Sequence, residues 1–256
     1  MTVRDEDIAL AQALADAAGA AIRPHFRSGF AVEQKGDRSP VTVADRAAEA
    51  AMRAILAARV PTDGIIGEEY GREREEAARL WVLDPIDGTR SFVAGRAIFG
   101  ALIALIEDGV PVLGVIDQPI AGERWLGAVG RPTTLNGAPV RCRPCAALGD
   151  AHLATTGPSY FGAEGWAAYG RASAAARDLL WGGDCYNYAL LASGHLDLVI
   201  EEGLKLYDFA ALVPVVEGAG GRMVDWRGAP LGLASEGRVI AASDARLIDP
   251  AIAALG

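Results

Sequence analysis

The stretch LWVLDPIDGTRSFVAG, residues 80–95, opens with four apolar residues, then places Asp84 and Asp87 three positions apart, with Gly88 and Thr89 directly after. Glu68 and Glu69 close the short run GIIGEE, and Asp208 opens the apolar segment YDFAALVPVVEGAG. Each of these acids lies where an apolar element gives way to a turn. Side chains at such places can converge at one edge of a sheet, and Pro85 fixes the backbone direction between the two aspartates so that both can face one spot. Carboxylates gathered without enough Lys or Arg repel and raise one another's pKa, a conflict that a divalent cation resolves. Oxygen donors with no Cys or His favour a hard cation, Mg²⁺ or Mn²⁺ before Zn²⁺. Two such ions about 4 Å apart serve phosphoryl transfer, one polarising water and the other neutralising the leaving oxygen. The Gly88 and Thr89 N–H groups, at the opening of a helix, could hold phosphate oxygens, and the Thr89 hydroxyl could orient a nucleophilic water.

The same residues have plainer readings. DPIDGT alone could be a turn with an aspartate cap, and GEE before Tyr70 a solvated turn. Asp208 could be a helix N-terminal acid. Asp45 could be the acid of a capping box with Thr42. His25, His152 and His195 pair with no evident serine nucleophile, and GPSYFG is not the nucleophile-elbow pattern. Cys142 and Cys145 have CxxC spacing but no second pair, so they read as surface-loop cysteines.

Positioning these groups requires a scaffold that the apolar pattern outlines. Apolar residues recur at helical steps from Ile8 to Phe26, predicting a helix over 5–26, and the capping box predicts a second over about 43–59. GIIGEE and RLWVLD read as strands, and the segments around AIFGALIALIEDG, VPVLGVIDQ and ERWLGAV as an antiparallel meander, with Asn136-Gly137 a hairpin turn. The second half reads as a helix at CYNYALLASG, a strand at LDLVIE, a helix at YDFAALVPVVEGAG, a strand at RVIAAS and a helix from about Asp249. Pro214 should kink the penultimate helix or mark its first turn. The expected architecture is mixed α/β, a larger α+β half over 1–148 and a smaller α/β half over 149–256 within one domain.

Composition narrows the function classes. Of 256 residues, 51 % are hydrophobic, and no run approaches the roughly 18 residues that a membrane helix needs. A net charge of −9 with scattered Lys and Arg leaves no basic stripe for nucleic acid. The N-terminus carries acids ahead of a helical pattern instead of a basic region and apolar block, so a cytoplasmic protein without a secretory signal is expected.

KGDRSPVTVAD, GEE, WVLDPIDGTRSF and YDFAALVPVVEGAGG, in this order and at these separations, resemble the motifs of the inositol monophosphatase superfamily, Mg²⁺-dependent and lithium-sensitive phosphatases. The likeness spans about residues 5–245 and implies the layered αβαβα sandwich shared with fructose-1,6-bisphosphatase, and a homodimer. It implies Glu68, Asp84 and the Ile86 carbonyl on one metal, and Asp84, Asp87 and Asp208 around a second. It further implies Gly88 and Thr89 on the phosphate, and Thr89 with Asp45 on the attacking water, with Glu68 helping through a third, looser ion. Tyr207 stands where the superfamily usually has Trp.

The pocket for the alcohol draws, in that superfamily, on the segment here reading WGGDCYNYALLASGHLDLVIEEG. Asp184 stands where inositol-type enzymes commonly have a small residue, and Glu201 matches a substrate-contacting acid. Two carboxylates beside an anionic phosphate site suit a leaving group that bears positive charge. The segment looks most like histidinol-phosphate phosphatases of this type, which implies L-histidinol phosphate as the small-molecule substrate. Tyr186 and Asn187 are candidates for further contacts or for core packing, and Arg90 for supporting the phosphate or lying on the surface. An inositol or broad sugar and polyol monophosphatase is the alternative, then a bisphosphate nucleotidase or fructose bisphosphatase. A non-catalytic phosphate-binding regulator is the alternative of another class.

Overall fold

A computed structural model of the chain describes residues 3–29, 32–34 and 40–256. Helix α1 (Asp5–Ile22) buries Leu10, Leu14, Ala18 and Ile22 along one side. It stops four residues short of the expected end because Pro24, which has no amide N–H, opens a 3₁₀ turn over Arg23–His25. A short hairpin of β1 (Val32–Gln34) and β2 (Pro40–Thr42) leads into α2 (Val43–Arg59). The expected capping box is formed: Asp45 Oδ2 accepts from the Thr42 N–H at 2.8 Å, and Thr42 Oγ1 accepts from the Ala44 and Asp45 N–H groups. Residues 35–39 of the KGDRSPVTVAD motif lie outside the described residues.

The larger sheet contains β3 (Gly64–Gly67), β4 (Gly71–Glu73), β5 (Arg79–Asp87), β6 (Gly100–Glu107), β7 (Val110–Gln118), β8 (Glu123–Ala128), β9 (Arg131–Leu135) and β10 (Ala138–Pro139). Its order is β10-β9-β8-β7-β6-β5-β3-β4, with β3 parallel to β5 and every other pair antiparallel. Two type I′-like corners, Asp108-Gly109 and Asn136-Gly137, hold both residues at positive φ, as hairpin turns require. Alternate residues of β5 enter two different cores. Trp81, Leu83 and Ile86 pack toward α1 and α2, while Leu80 and Val82 face the other way. A strand covered on both faces reads as a continuous apolar run, which is what LWVL is.

Following β5 comes α3 (Thr89–Val93), and after the large sheet β11 (His152–Thr155), α4 (Ala163–Ala175), β12 (Asp178–Trp181), α5 (Cys185–Ala192) and β13 (Leu198–Glu201). The chain then forms α6 (Leu206–Phe209), α7 (Leu212–Gly218), β14 (Arg222–Val224), β15 (Val239–Ala242) and α8 (Ile248–Leu255). The smaller sheet has the order β12-β11-β13-β15-β14. Helices α1 and α2 cover one face of the large sheet; α5 and α7 fill the space between the sheets, and α8 packs on the far side of the small sheet with α4 against it. The result is the expected αβαβα layering.

The YDFAALVPVVEGAG segment is two helices instead of one, broken after Phe209, with Pro214 in the first turn of α7. The break lies over two glycines that are register partners in adjacent strands, Gly114 of β7 and Gly127 of β8. A Cβ on Gly114 would lie 2.0 Å from the Ala211 carbonyl oxygen, and one on Gly127 would lie 2.2 Å from that of Pro214. Backbone therefore packs directly on sheet there, and this contact seats the start of α7 on β7 and β8. Because the atoms met are backbone and cannot rotate away, Gly127→Ala should cost about 1–3 kcal/mol. A thermal melt of the variant is expected to fall by roughly 2–4 °C for each kcal/mol lost; an unchanged melt would show that the contact is looser than described.

Candidate active site

Strand β5 delivers the first acids. Pro85 cannot donate to the ladder, and the β5–β6 register shifts between Asp84 and Asp87. The Ile86 N–H turns back to Asp84 Oδ1 at 3.0 Å. The chain then bends through Gly88, whose φ of 84° is left-handed and whose missing Cβ leaves room for the Asp184 carboxyl group, 2.7 Å from where a Cβ would sit. The Thr89 hydroxyl lies 3.0 Å from the Ile86 carbonyl oxygen and 3.3 Å from Asp45 Oδ1. Asp45, fully buried, holds its other oxygen on the Thr42 cap.

Glu68 follows β3 and is fixed by its N–H on the Leu83 carbonyl at 3.1 Å. Asp208 sits in the first turn of α6, and its Oδ2 accepts from the Lys205 N–H at 2.6 Å. Asp84, Asp87 and Asp208 thereby each offer an oxygen within 4.8 Å of the others. Burial, then repulsion by Glu68, Asp87 and Asp208, pushes Asp84 far above the usual carboxylate range. Asp87 is raised well above that range by burial and by Asp184 and Asp208, and Asp208 is pushed up to about 7 mainly by burial. Like charges confined in this way, with oxygen as the donor atom throughout, suit a hard divalent cation.

The cluster forms one wall of a cavity of about 290 Å³. Glu68, Asp84, Ile86, Asp87, Gly88, Thr89, Asp184, Glu201 and Asp208 all line it, and Asp45 stands behind Thr89. Asp184 follows Gly182 and Gly183, and all three residues have positive φ, which throws its side chain toward Gly88. Ser91 Oγ donates to Asp184 Oδ2 at 2.7 Å. Burial raises Asp184, while Ser91, Arg96 and Arg90 oppose the shift. Glu201, 4 % exposed, is pushed up to about 7 by burial.

Some expected roles do not match the geometry. Tyr186 turns away from the cavity, donating to Glu123 Oε2 at 2.5 Å with its ring edge-on to Trp125. Asn187 is buried and donates to the Gly182 carbonyl at 3.0 Å. Helical spacing instead brings Tyr188, four residues after Asp184, into the cavity wall. Glu69 is not part of that wall, and its N–H is held by Glu49 Oε2 at 2.7 Å. Arg90 does line the cavity, with its guanidinium 5.1 Å from the centre of the Tyr160 ring. Cys142 and Cys145 are free thiols in a loop; Cys142 is half-buried, whereas Cys145, expected at the surface, is buried, and burial pushes Cys142 up to about 11, away from thiolate chemistry. Sequence reasoning missed Cys185, whose N–H donates to Asp87 Oδ2 at 2.6 Å, and Thr156, Ser91 and Tyr160. Uncharged residues at element ends carry no pattern that would single them out.

Among the described residues no helix is long and apolar enough to cross a membrane. Residues 3–255 match the model of the inositol monophosphatase family. The chain is 49 % identical to the bifunctional phosphatase IMPL2, chloroplastic, of Arabidopsis thaliana, over 99 % of this chain and 76 % of that protein. It is 38 % identical to the histidinol-phosphatase of Mycobacterium tuberculosis, over 87 % and 88 % of the two chains. A solved structure of an inositol monophosphatase from Zymomonas mobilis superposes with a TM-score of 0.92 at 56 % identity, covering 100 % of this chain and 99 % of that one. With fold, carboxylate cluster and sequence in agreement from end to end, the chain belongs to the inositol monophosphatase family and is a phosphoric monoester hydrolase.

Proposed function

We propose that the chain, acting as one domain, hydrolyses L-histidinol phosphate to L-histidinol and phosphate, with Mg²⁺ as the activating ion. The observation that carries the substrate is the pair of buried acids, Asp184 and Glu201, in the wall of the cavity that the carboxylate cluster opens into. A cationic leaving group gains from both, and a neutral polyol gains less. Histidinol-phosphatases of Mycobacterium tuberculosis and Chlorobaculum parvum, at 38 % and 36 % identity, support the reading. The 56 % identity to the Zymomonas mobilis inositol monophosphatase favours inositol phosphate as the second reading. A homodimer belongs to the proposal on family resemblance.

In this reading Glu68, Asp84, Asp87, Asp208 and the Ile86 carbonyl would hold the ions. Bound there, Mg²⁺ would neutralise the carboxylates, lower the pKa of a water and offset charge on the leaving oxygen. Gly88 and Thr89 would present their N–H groups to the phosphate. Asp45, its Oδ2 committed to Thr42, keeps Oδ1 for the Thr89 hydroxyl; Thr89 would take a proton from the attacking water as it passes its own to Asp45 Oδ1. Asp184 and Glu201 would face the ammonium or imidazolium of the alcohol.

A kinetic panel with Mg²⁺ tests the substrate. Histidinol phosphate should show kcat/KM at least about tenfold above myo-inositol 1-phosphate and glycerol 2-phosphate, the discrimination expected when one charged contact is made or lost. Equal or better cleavage of the inositol ester would move the enzyme to the second reading. The metal assignment has a separate signature. Asp87→Asn keeps an acceptor for the Cys185 N–H but removes one crowded charge. It should cut kcat by about 10²–10³, as loss of a key electrostatic group does. The melting temperature in chelator should rise by about 2–4 °C, as relief of about 1 kcal/mol of repulsion gives in a chain of this size; a fall in both would argue that Asp87 is structural.

A further inference from the structure

Glu201, in the wall of the cavity, is held from two elements besides its own strand. Its Oε1 accepts from both the Thr156 N–H at 2.8 Å and the Thr156 Oγ1 at 2.5 Å. Its Oε2 accepts from the Tyr188 hydroxyl at 3.0 Å. Thr156 directly follows β11, Tyr188 lies on α5 and Glu201 ends β13, so three elements meet on one carboxyl group. A carboxylate has about four acceptor positions. Two on Oε1 and one on Oε2 are taken, which leaves a single one.

All three donors are neutral, and no Arg, Lys or His forms an ion pair with Glu201 among the described residues. A buried acid that served packing alone would be expected beside a cation or replaced by a neutral group, because burial of an uncompensated charge is costly. Tyr188 is 1 % exposed, with its ring in the core between the two sheets, so its hydroxyl cannot follow Glu201 to another rotamer. The carboxyl group is therefore fixed before any ligand arrives, and the entropy of ordering a long acidic side chain is already met by the fold.

From this geometry we infer that Thr156 and Tyr188 are positioning residues that clamp Glu201 so that its one remaining acceptor position meets one donor of the leaving alcohol. The inference rests on the reading of Glu201 as a substrate-facing acid, but not on which ester the enzyme prefers. The clamp makes Glu201 a one-donor gauge: it rewards a single N–H or O–H at a fixed place and cannot swing to accept a displaced one.

The test is a double-mutant cycle on the ester that the wild-type enzyme cleaves best. Tyr188→Phe keeps the ring and loses only the hydroxyl, and it should lower kcat/KM about tenfold, mainly through KM. Thr156→Val should do the same, and Thr156→Ser, which restores the hydroxyl, should return to within about twofold of wild type. In a Glu201→Gln background, Tyr188→Phe should change kcat/KM by less than about twofold, because the group that it positions is already altered. A tenfold loss that persists undiminished in that background would overturn the inference, since Tyr188 would then act by packing. The reading beneath it fails separately, in the single variant: Glu201→Gln with wild-type kcat/KM for every ester would remove Glu201 from the substrate site and the clamp with it.

Discussion

Carboxylates that share a buried space oppose one another's ionisation, and the architecture is arranged around bringing Asp84, Asp87 and Asp208 into that conflict. They arrive from two directions, the end of β5 and the first turn of α6, and meet within 4.8 Å. Each approach depends on an unusual piece of backbone. Pro85 breaks the ladder so that two aspartates three residues apart serve one site. Gly114 and Gly127, paired across β7 and β8, let the start of α7, the helix after Asp208, lie backbone on sheet. A side chain at either glycine would meet the Ala211 or Pro214 carbonyl oxygen.

The other side of the cavity has two acids with different surroundings. Asp184 is bound by Ser91 on the helix that follows the Gly-Thr pair, lies against Gly88, and feels the positive charge of Arg96 and Arg90. In the proposed reading it would stand between the Gly88-Thr89 turn and the group that faces the alcohol. Glu201 has only neutral donors and the higher demand for a cation. If the alcohol carries a positive group, Glu201 is the acid that it satisfies more fully, and Asp184 the one that sets where the alcohol begins. The left-handed backbone of Asp184, a strained conformation for a residue with a side chain, fits this division, since strain is retained where a side chain must reach a fixed spot.

Much of this was legible in the sequence because chemistry-bearing residues and element boundaries coincide. Asp84, Asp87, Glu68 and Asp208 could be picked out as acids at the ends of apolar runs, and the Thr42–Asp45 capping box located α2 to the residue. What stayed hidden depended on contacts distant in sequence. The close seating of α7 on the sheet depends on Gly114 and Gly127, distant in sequence and invisible to the helical pattern of YDFAALVPVVEG. Strands β11 and β12 pair in parallel across α4, and the exposed, short β12 has no alternation to mark it. Tyr186 and Asn187 stood out in the sequence and Tyr188 did not, because only the orientation of α5 separates a ring against Trp125 from a hydroxyl on Glu201.

A crystal structure of the protein with Mn²⁺, read by anomalous scattering, tests whether the acids of β5 and α6 form one centre for hard divalent cations. Strong peaks are expected within the ring of Asp84, Asp87 and Asp208, with Glu68 at the margin, and a peak should be lost in Asp208→Asn. Peaks elsewhere, or no peak there in crystals of enzyme that hydrolyses phosphate esters with Mn²⁺, would contradict it.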